Sequence, residues 1–381
     1  MSNKIEIYGY CEERFEPVKR VLKESLESGT DIGASFAATI EGEFVIDIWG
    51  GYADAAKTRP WEKDTIVNVF STTKIMSVIC VLMLIDREQI DLDVPVANYW
   101  PEFAQAGKEN LPVRYLLSHT AGLPGFDKVI QMETLYNWNQ IVNMLAAQKP
   151  SWEPGTRSGY HGITQGYLLG ELVRRVTGKT IGTFFRDEVA IPLNADFHIG
   201  LPEEYDSRVA ELIAPPPLES NLTRRNDAES SAAKGFFGPI IDTNKCLSRE
   251  WRSAEIPAAN GHGNARSAAK IGAALACGGE LDGVSLLSIN TIKKAIEEQS
   301  YSKDLVIQIP IRWGLGFGLN SKEIRLGRNP HAFCWGGWGG SSLVMDLDEK
   351  ISYAFVMNKM SNTILGDARS ANLGRAFLKS K

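Results

Sequence analysis

Four serines in this chain are followed three residues later by a lysine: Ser71/Lys74, Ser231/Lys234, Ser267/Lys270 and Ser300/Lys303. A serine hydroxyl is a weak nucleophile until a neighbouring base takes its proton, and an uncharged amine can be that base. On a helix, residues three apart share a face, so each pair could bring hydroxyl and amine together. A pattern that occurs four times identifies nothing by itself, and the flanking residues have to choose. Ser300 and Lys303 lie in EEQSYSKD and Ser231 in DAESSAAKG, polar stretches that read as solvated. Ser267 follows Asn264 and Arg266 at the start of an amphipathic run, where helix N-capping explains it. Ser71 alone follows an apolar run, Ile66 to Phe70, and opens a segment, Ile75 to Ile85, that is apolar on every side. A hydroxyl and an ammonium in such surroundings have to be accounted for. An unperturbed lysine, with a pKa of about 10.4, is no base near neutrality. Burial and the positive end of the helix dipole both disfavour its charged form, so Lys74 could be held as the free amine. The bland alternative, an N-capping Ser71 beside a snorkelling Lys74, stays open on the local sequence.

The elements that would hold the pair can be read on both sides of it. Glu13 to Glu27 carries Phe15, Val18, Val21, Leu22 and Leu26 at helical spacing. SFAATIEG and EFVIDIWGG suggest an antiparallel hairpin joined at Glu41-Gly42. From about Val94 to Ala258 the chain turns to short helical patterns broken by Pro and Gly; the clearest helix is Gly162 to Thr177, ending at Gly178. Ala265 to Ala276 reads as another helix. Trp313 to Leu319, Ala332 to Trp335, Ser341 to Asp346 and Ile351 to Met357 read as strands, and Ile364 to Leu378 as a closing helix. Strands at both ends and a helical middle predict an α+β fold, an α/β sandwich. Its antiparallel sheet is built from both termini and flanked by helices, with a mostly helical inserted domain. The expected division is 1–93 with 259–381 for the sheet domain and 94–258 for the helical one, with a small-molecule site in the cleft between them.

Composition narrows the field. The chain has 381 residues, long enough to bury a core without disulfides. Five cysteines, an odd number without close pairs or metal-ligand spacing, predict reduced thiols, no metal and no cofactor. A net charge of −5 gives no reason to expect nucleic acid or an anionic membrane as a partner. Acidic residues stand early in MSNKIEIYGYCEERFEPVKR and no apolar leader core is visible, so a cytoplasmic location is expected. Ile75 to Ile85 is too short to span a bilayer.

Three further segments follow FSTTK in order: YLLSHTAGLPGF (Tyr115 to Phe126), SWEPGTRSGYHGITQGYLLGELV with Tyr160 at the mouth of a helix, and AFCWGGWGGSSLVMDLDEK with Trp335-Gly336-Gly337 at a strand end. Jointly they resemble the class C β-lactamase-like serine hydrolases, and most closely the family VIII carboxylesterases, from the first hairpin to the final helix. The resemblance implies a β-lactamase/transpeptidase-like fold with Ser71 as nucleophile, Lys74 as its base and Tyr160 sharing the proton transfer. It further implies Trp335, Gly336 and Gly337 as the cleft-lining third motif, and the backbone N–H groups of Ser71 and Trp338 as an oxyanion hole. His161, beside Tyr160, is a candidate for substrate contact. Trp335 stands where β-lactamases carry a lysine, and Gly162 where they carry an asparagine. Losing a cation and an amide suits a neutral ester better than an anionic lactam.

The expected reaction is hydrolysis of small carboxylic esters through an acyl-Ser71 intermediate. The partner implied is a small-molecule ester, and a homo-oligomer is left open. Acyl transfer, D-amino-acid amide or peptide hydrolysis and weak β-lactam cleavage are the alternatives on the same fold. A non-catalytic ligand-binding protein is the alternative from another class. No G-x-S-x-G elbow occurs, so an α/β-hydrolase triad is not indicated. His119 is expected to bond to backbone, His262 and His331 to lie in loops, and Glu153 in a turn; Trp138 and Trp152 are candidates for the helical wall of the cleft.

Overall fold

The computed structural model describes residues 5–215 and 241–381, so the Ser231/Lys234 pair falls outside the described residues. One nine-stranded antiparallel sheet dominates. Its strands are β1 (Ile7–Cys11), β2 (Gly33–Ile40), β3 (Glu43–Gly51), β4 (Ser300–Lys303), β5 (Pro310–Trp313), β6 (Gly318–Leu319), β7 (Ala332–Gly336), β8 (Ser342–Asp346) and β9 (Ile351–Met357). Their order, β1-β3-β2-β9-β8-β7-β6-β5-β4, is a meander of late strands joined to an early hairpin. The junction is β2 against β9, with Phe36 opposite Phe355 and Ala34 opposite Met357.

Side chains alternate across each strand, so each face needs its own cover. Helices α1 (Glu16–Glu27) and, at the end of the chain, 368–380 lie over one face, where Phe377 meets Phe15 at 5.2 Å and Tyr353 at 5.5 Å between ring centroids. The helix over 265–276 covers the other, so close that a Cβ on Gly272 would stand 2.3 Å from Ser352 Oγ. The helical part supplies α2 (Thr73–Asp86), α3 (Trp138–Ala147) and α4 (Thr164–Thr177), with α5 (Ala265–Ala276) and α6 (Ala368–Ser380) completing the long helices. Every residue of α2 from Thr73 to Leu84 is buried, as an all-apolar helix requires, and α2 packs on α4. Gly178, left-handed at φ 74°, ends α4 where expected.

Local departures have local causes. The run Trp313 to Leu319 is two strands rather than one: the chain reverses between them, Gly314 N–H donates to Phe317 O at 2.9 Å, and Gly316 takes φ +83°. Of Ile66 to Phe70 only Val67–Asn68 is strand, paired with His262–Gly263, which also moves His262 from a loop into a buried strand. Helix α6 starts at Ala368 rather than Ile364, because Asp367 forms a capping box with Ser370. Ser267 is not the N-cap of α5. Asn264 is, accepting from Ser267 N–H at 2.9 Å, while Ser267 Oγ accepts from Asp196 N–H at 2.8 Å. Ser300 and Lys303 sit on the outermost strand of the sheet. Among the described residues no helix is long and apolar enough to cross a membrane, and no group of three or more His, Cys, Asp or Glu could hold a metal ion.

Candidate active site

Ser71 lies in a single 3-10 turn, Phe70–Thr72, that runs straight into α2. The turn is tied from several sides. Val69 N–H donates to Gly261 O at 2.9 Å, and Val69 O accepts from Ser341 Oγ at 2.8 Å. Thr73 Oγ1 donates to Phe70 O at 2.5 Å and accepts from Gly261 N–H at 2.9 Å. Phe70 is held at φ +42°, a region non-glycine residues avoid at a cost of about 1–3 kcal/mol. Its ring rests on Trp338, 5.1 Å between centroids, at the end of the β7 segment. That segment comes alongside because residue 337 is glycine. A Cβ there would lie 2.1 Å from Val69 O and 3.2 Å from Ser71 N. Neither the Ser71 nor the Trp338 N–H donates to a protein acceptor among the described residues, which leaves two backbone donors available beside the hydroxyl.

Lys74 follows one helical turn later and is 1% exposed. Its Nζ lies 3.1 Å from Ser71 Oγ, 2.6 Å from Gly162 O and 2.9 Å from Ala258 O. No carboxylate pairs with it among the described residues, and burial holds its pKa well below the usual lysine value. An uncharged amine donates to the two carbonyls and keeps its lone pair for the serine proton.

Tyr160 closes the group. Its Oη donates to Ser71 Oγ at 2.6 Å and accepts from Trp335 Nε1 at 3.3 Å. Burial pushes its pKa above the ordinary phenol value, the opposite of what a phenolate base would need. The ring is stacked at 8° on Trp313 and tilted against Trp335.

The backbone of Tyr160 is fixed by a residue that sequence reading missed. Asp304, fully buried at the end of β4, accepts from the N–H groups of Tyr160 (3.0 Å), Val306 (2.9 Å) and Ile307 (2.9 Å), and from Trp313 Nε1 at 3.3 Å. It lies in the very stretch, EEQSYSKD, whose polarity suggested solvent. The available signal was an acidic residue directly before the apolar Leu305-Val306-Ile307. Asp304→Asn puts an amide where four donors converge and should shift Tyr160 by a fraction of an ångström. We expect kcat to fall about 100-fold with KM little changed. Steady-state kinetics beside thermal melting checks this, since a purely structural role would lower Tm and leave the folded fraction fully active.

The sequence-identified residues therefore separate. Ser71, Lys74, Tyr160, Gly337 and Trp338 converge. Two do not meet a substrate as expected. His161 is fully buried: its Nε2 accepts from Leu123 N–H at 3.0 Å, and its Nδ1 faces Gly159 O at 2.6 Å, so no polar atom is left for a ligand. Trp335 is only 2% exposed and spends its N–H on Tyr160, which makes it a support for the phenol rather than a cleft wall. His119 Nδ1 accepts from the backbone N–H of His161 at 3.1 Å, the backbone role expected of it. Trp138 is turned to Glu171, at 2.9 Å, and Trp152 to Arg157 O, also at 2.9 Å.

A family model described as Beta-lactamase matches residues 18–374. The chain is similar to Esterase/beta-lactamase LipL of Mycobacterium tuberculosis, 32% identical over 370 residues that cover 94% of this chain and 84% of that one. Among solved structures it is similar to a family VIII carboxylesterase, with a TM-score of 0.93 and 42% identity over 99% of this chain and 100% of the other. A penicillin-binding protein homologue from Caulobacter crescentus superposes with a TM-score of 0.91 and 39% identity over the same shares. With a terminal-strand sheet, a helical middle and a Ser-x-x-Lys turn at the head of a buried helix, matched over nearly its whole length, the chain belongs to the beta-lactamase family.

Proposed function

We propose that the chain is a carboxylesterase that cleaves small carboxylic esters through an acyl-Ser71 intermediate. The observation that carries this reading is Lys74, a buried amine without a counter-charge among the described residues, 3.1 Å from the hydroxyl of the half-buried Ser71. In the first step Ser71 Oγ attacks the ester carbonyl and its proton passes to Lys74 Nζ. The oxyanion is met by the N–H groups of Ser71 and Trp338, each such donor being worth about 3–4 kcal/mol in the transition state. Collapse breaks the bond to the alkoxide, which takes a proton from Tyr160, and Lys74 restores it. Water then repeats the sequence on the acyl-serine and releases the acid. A neutral substrate suits the site because the third-motif position holds an indole turned to Tyr160 instead of a cation for a substrate carboxylate. LipL and the family VIII relative carry esterase names, which agrees. Five unpaired cysteines suit a reducing compartment such as the cytoplasm.

The test is intact-mass spectrometry after mixing with p-nitrophenyl butyrate, beside a chromogenic cephalosporin and the Ser71→Ala variant. We expect turnover with a butyryl adduct on wild type, none on Ser71→Ala, and little cephalosporin opening. Absence of adduct and turnover with both compounds would leave a ligand-binding protein. Fast cephalosporin opening would assign lactams to the cleft.

A further inference from the structure

Trp335 points to Tyr160, so its neighbours Cys334 and Gly336 point to the opposite face of β7. On that opposite face β7, β8, β9, helix α6 and the 324–329 segment enclose a second cavity of about 1060 Å³. Cys334 is opposite Val344, and Val344 opposite Tyr353, so these three side chains form a continuous floor. Leu326, Leu365 and Leu378 add to its apolar surface.

The mouth is unlike the floor. Five cations line the cavity (Arg325, Arg328, Arg375, Lys379 and Lys381) against three acids, on a chain whose net charge is −5. Each acid is already engaged, Glu349 with one of these cations. Asp346 accepts from Asn329 Nδ2 at 2.7 Å and from the N–H groups of Asp348 and Glu349, Glu349 pairs with Lys381, and Asp367 caps α6 and pairs with Arg369. Arg325, Arg328 and Lys379 have no carboxylate partner among the described residues, and Arg375 reaches only Asn372. One polar group on the floor faces the space. The Tyr353 side chain is largely buried and lines the cavity, and its hydroxyl, open to that space, has no hydrogen-bond partner among the described residues. That hydroxyl lies 3.1 Å from where a Cβ of Gly374 would stand, one residue from Arg375. A hydroxyl donor on the floor and guanidiniums without carboxylate partners at the mouth of the same cavity are the chemistry that holds a carboxylate.

We infer that this cavity binds an amphipathic monoanion, a medium-chain alkyl carboxylate. The chain lies on the Cys334–Val344–Tyr353 floor, and the carboxylate accepts from Tyr353 Oη and from the Arg375 side of the mouth. The volume accommodates a ligand of that size, at the upper end of ordinary small-molecule pockets. The inference does not rest on the reaction at Ser71, which lies across the sheet.

Isothermal titration of the full chain with sodium octanoate, beside 1-octanol and inorganic phosphate, tests it. The titrations are repeated on the exposed-charge variant Arg375→Glu/Lys379→Glu and on Tyr353→Phe. Hydrolysis of p-nitrophenyl butyrate and the melting curve monitor folding. We expect one octanoate bound per chain, with octanol and phosphate at least tenfold weaker. The charge reversal should weaken octanoate tenfold or more, and Tyr353→Phe several-fold, with ester hydrolysis unchanged. Equal binding of octanol would reduce the site to an apolar groove, and equal binding of phosphate to a cationic rim. Octanoate binding that ignored both variants, or no binding, would overturn the proposal.

Discussion

Ser71→Ala and Lys74→Met are each expected to lower kcat/KM for a small ester by about 10⁴-fold or more, and the double variant no further. The non-additivity is the informative part. Ser71 without its base cannot shed its proton, and Lys74 without the hydroxyl has nothing to accept, so either loss removes the same step. A 10⁴-fold loss corresponds to about 5.5 kcal/mol of transition-state stabilisation. Burial favours Lys74 over Tyr160 as the base, because it moves the phenol pKa upward and that of the lysine downward. The same asymmetry sets the pH profile. The protonated lysine is inactive, so acylation rises with pH through the Lys74 ionisation, and that limb falls below the usual lysine range near 10.4. A limb above pH 10, or a double variant much worse than either single one, would assign the base to Tyr160 or divide the step between two groups. Stopped-flow acylation across pH on wild type and Tyr160→Phe makes the distinction.

The second large effect is on stability in acid. His119, His161 and His262 are fully buried, and burial is the first cause of the depressed pKa in each. His161 and His262 are pulled down to about 3, and His119 well below its usual value. Hydrogen bonding agrees. His161 Nε2 and His119 Nδ1 both act as acceptors for backbone N–H groups, a role that the doubly protonated ring cannot fill. The unfolded chain protonates its histidines near pH 6.5 while the folded chain does not, so the unfolded state binds more protons below that pH. Stability is therefore intact above about pH 6.5 and falls as the pH drops toward 3. Each histidine still neutral at pH 4.5 costs roughly 3 kcal/mol there, and three together approach the whole stability of a typical domain. Chemical denaturation at pH 7.5, 6, 5 and 4.5 should show ΔG falling with a slope approaching three protons. His262 bonds through its ring to Asn260 O and not to the catalytic group, and His262→Gln should reduce that slope by one. A flat profile down to pH 4.5 would mean that these rings accept protons in the folded state.

Much of the architecture was legible because it is written in local apolar runs and their lengths. The β-rich run Ile351 to Met357 and the mostly apolar stretch Ile75 to Ile85 read as a strand and a buried helix, and both elements appear where expected. The sheet built from both termini is borne out with them. What escaped depends on contacts between distant segments. Asp304 looks like one more charge in a polar stretch until β4 and β5 close round the loop over 158–160 and aim four donors at it. His161 looked available because its neighbour Tyr160 reaches Ser71, yet successive residues leave this loop on opposite sides. Trp335 sits at the third-motif position, but which surface its indole meets is decided by Tyr160, 175 residues earlier. Among the four Ser-x-x-Lys pairs, the apolar flanks were what the local sequence could report of Ser71; in the structure Ser267 is also buried, and it is Lys74, 1% exposed, that the flanks foretold.

The pairing of β2 with β9 has a consequence for how this protein is made. The hairpin of β2 and β3 leaves the ribosome long before its partner strand, 351–357. Until then the β2 edge is an open, apolar strand of eight residues, a template for pairing with another nascent chain. Ser341 and Gly337, which hold the Ser71 turn, also come from that late portion. Premature termination anywhere before β9 would thus yield an inactive product with an adhesive edge. Expression should depend on chaperone capacity far more than on the stability of the finished fold.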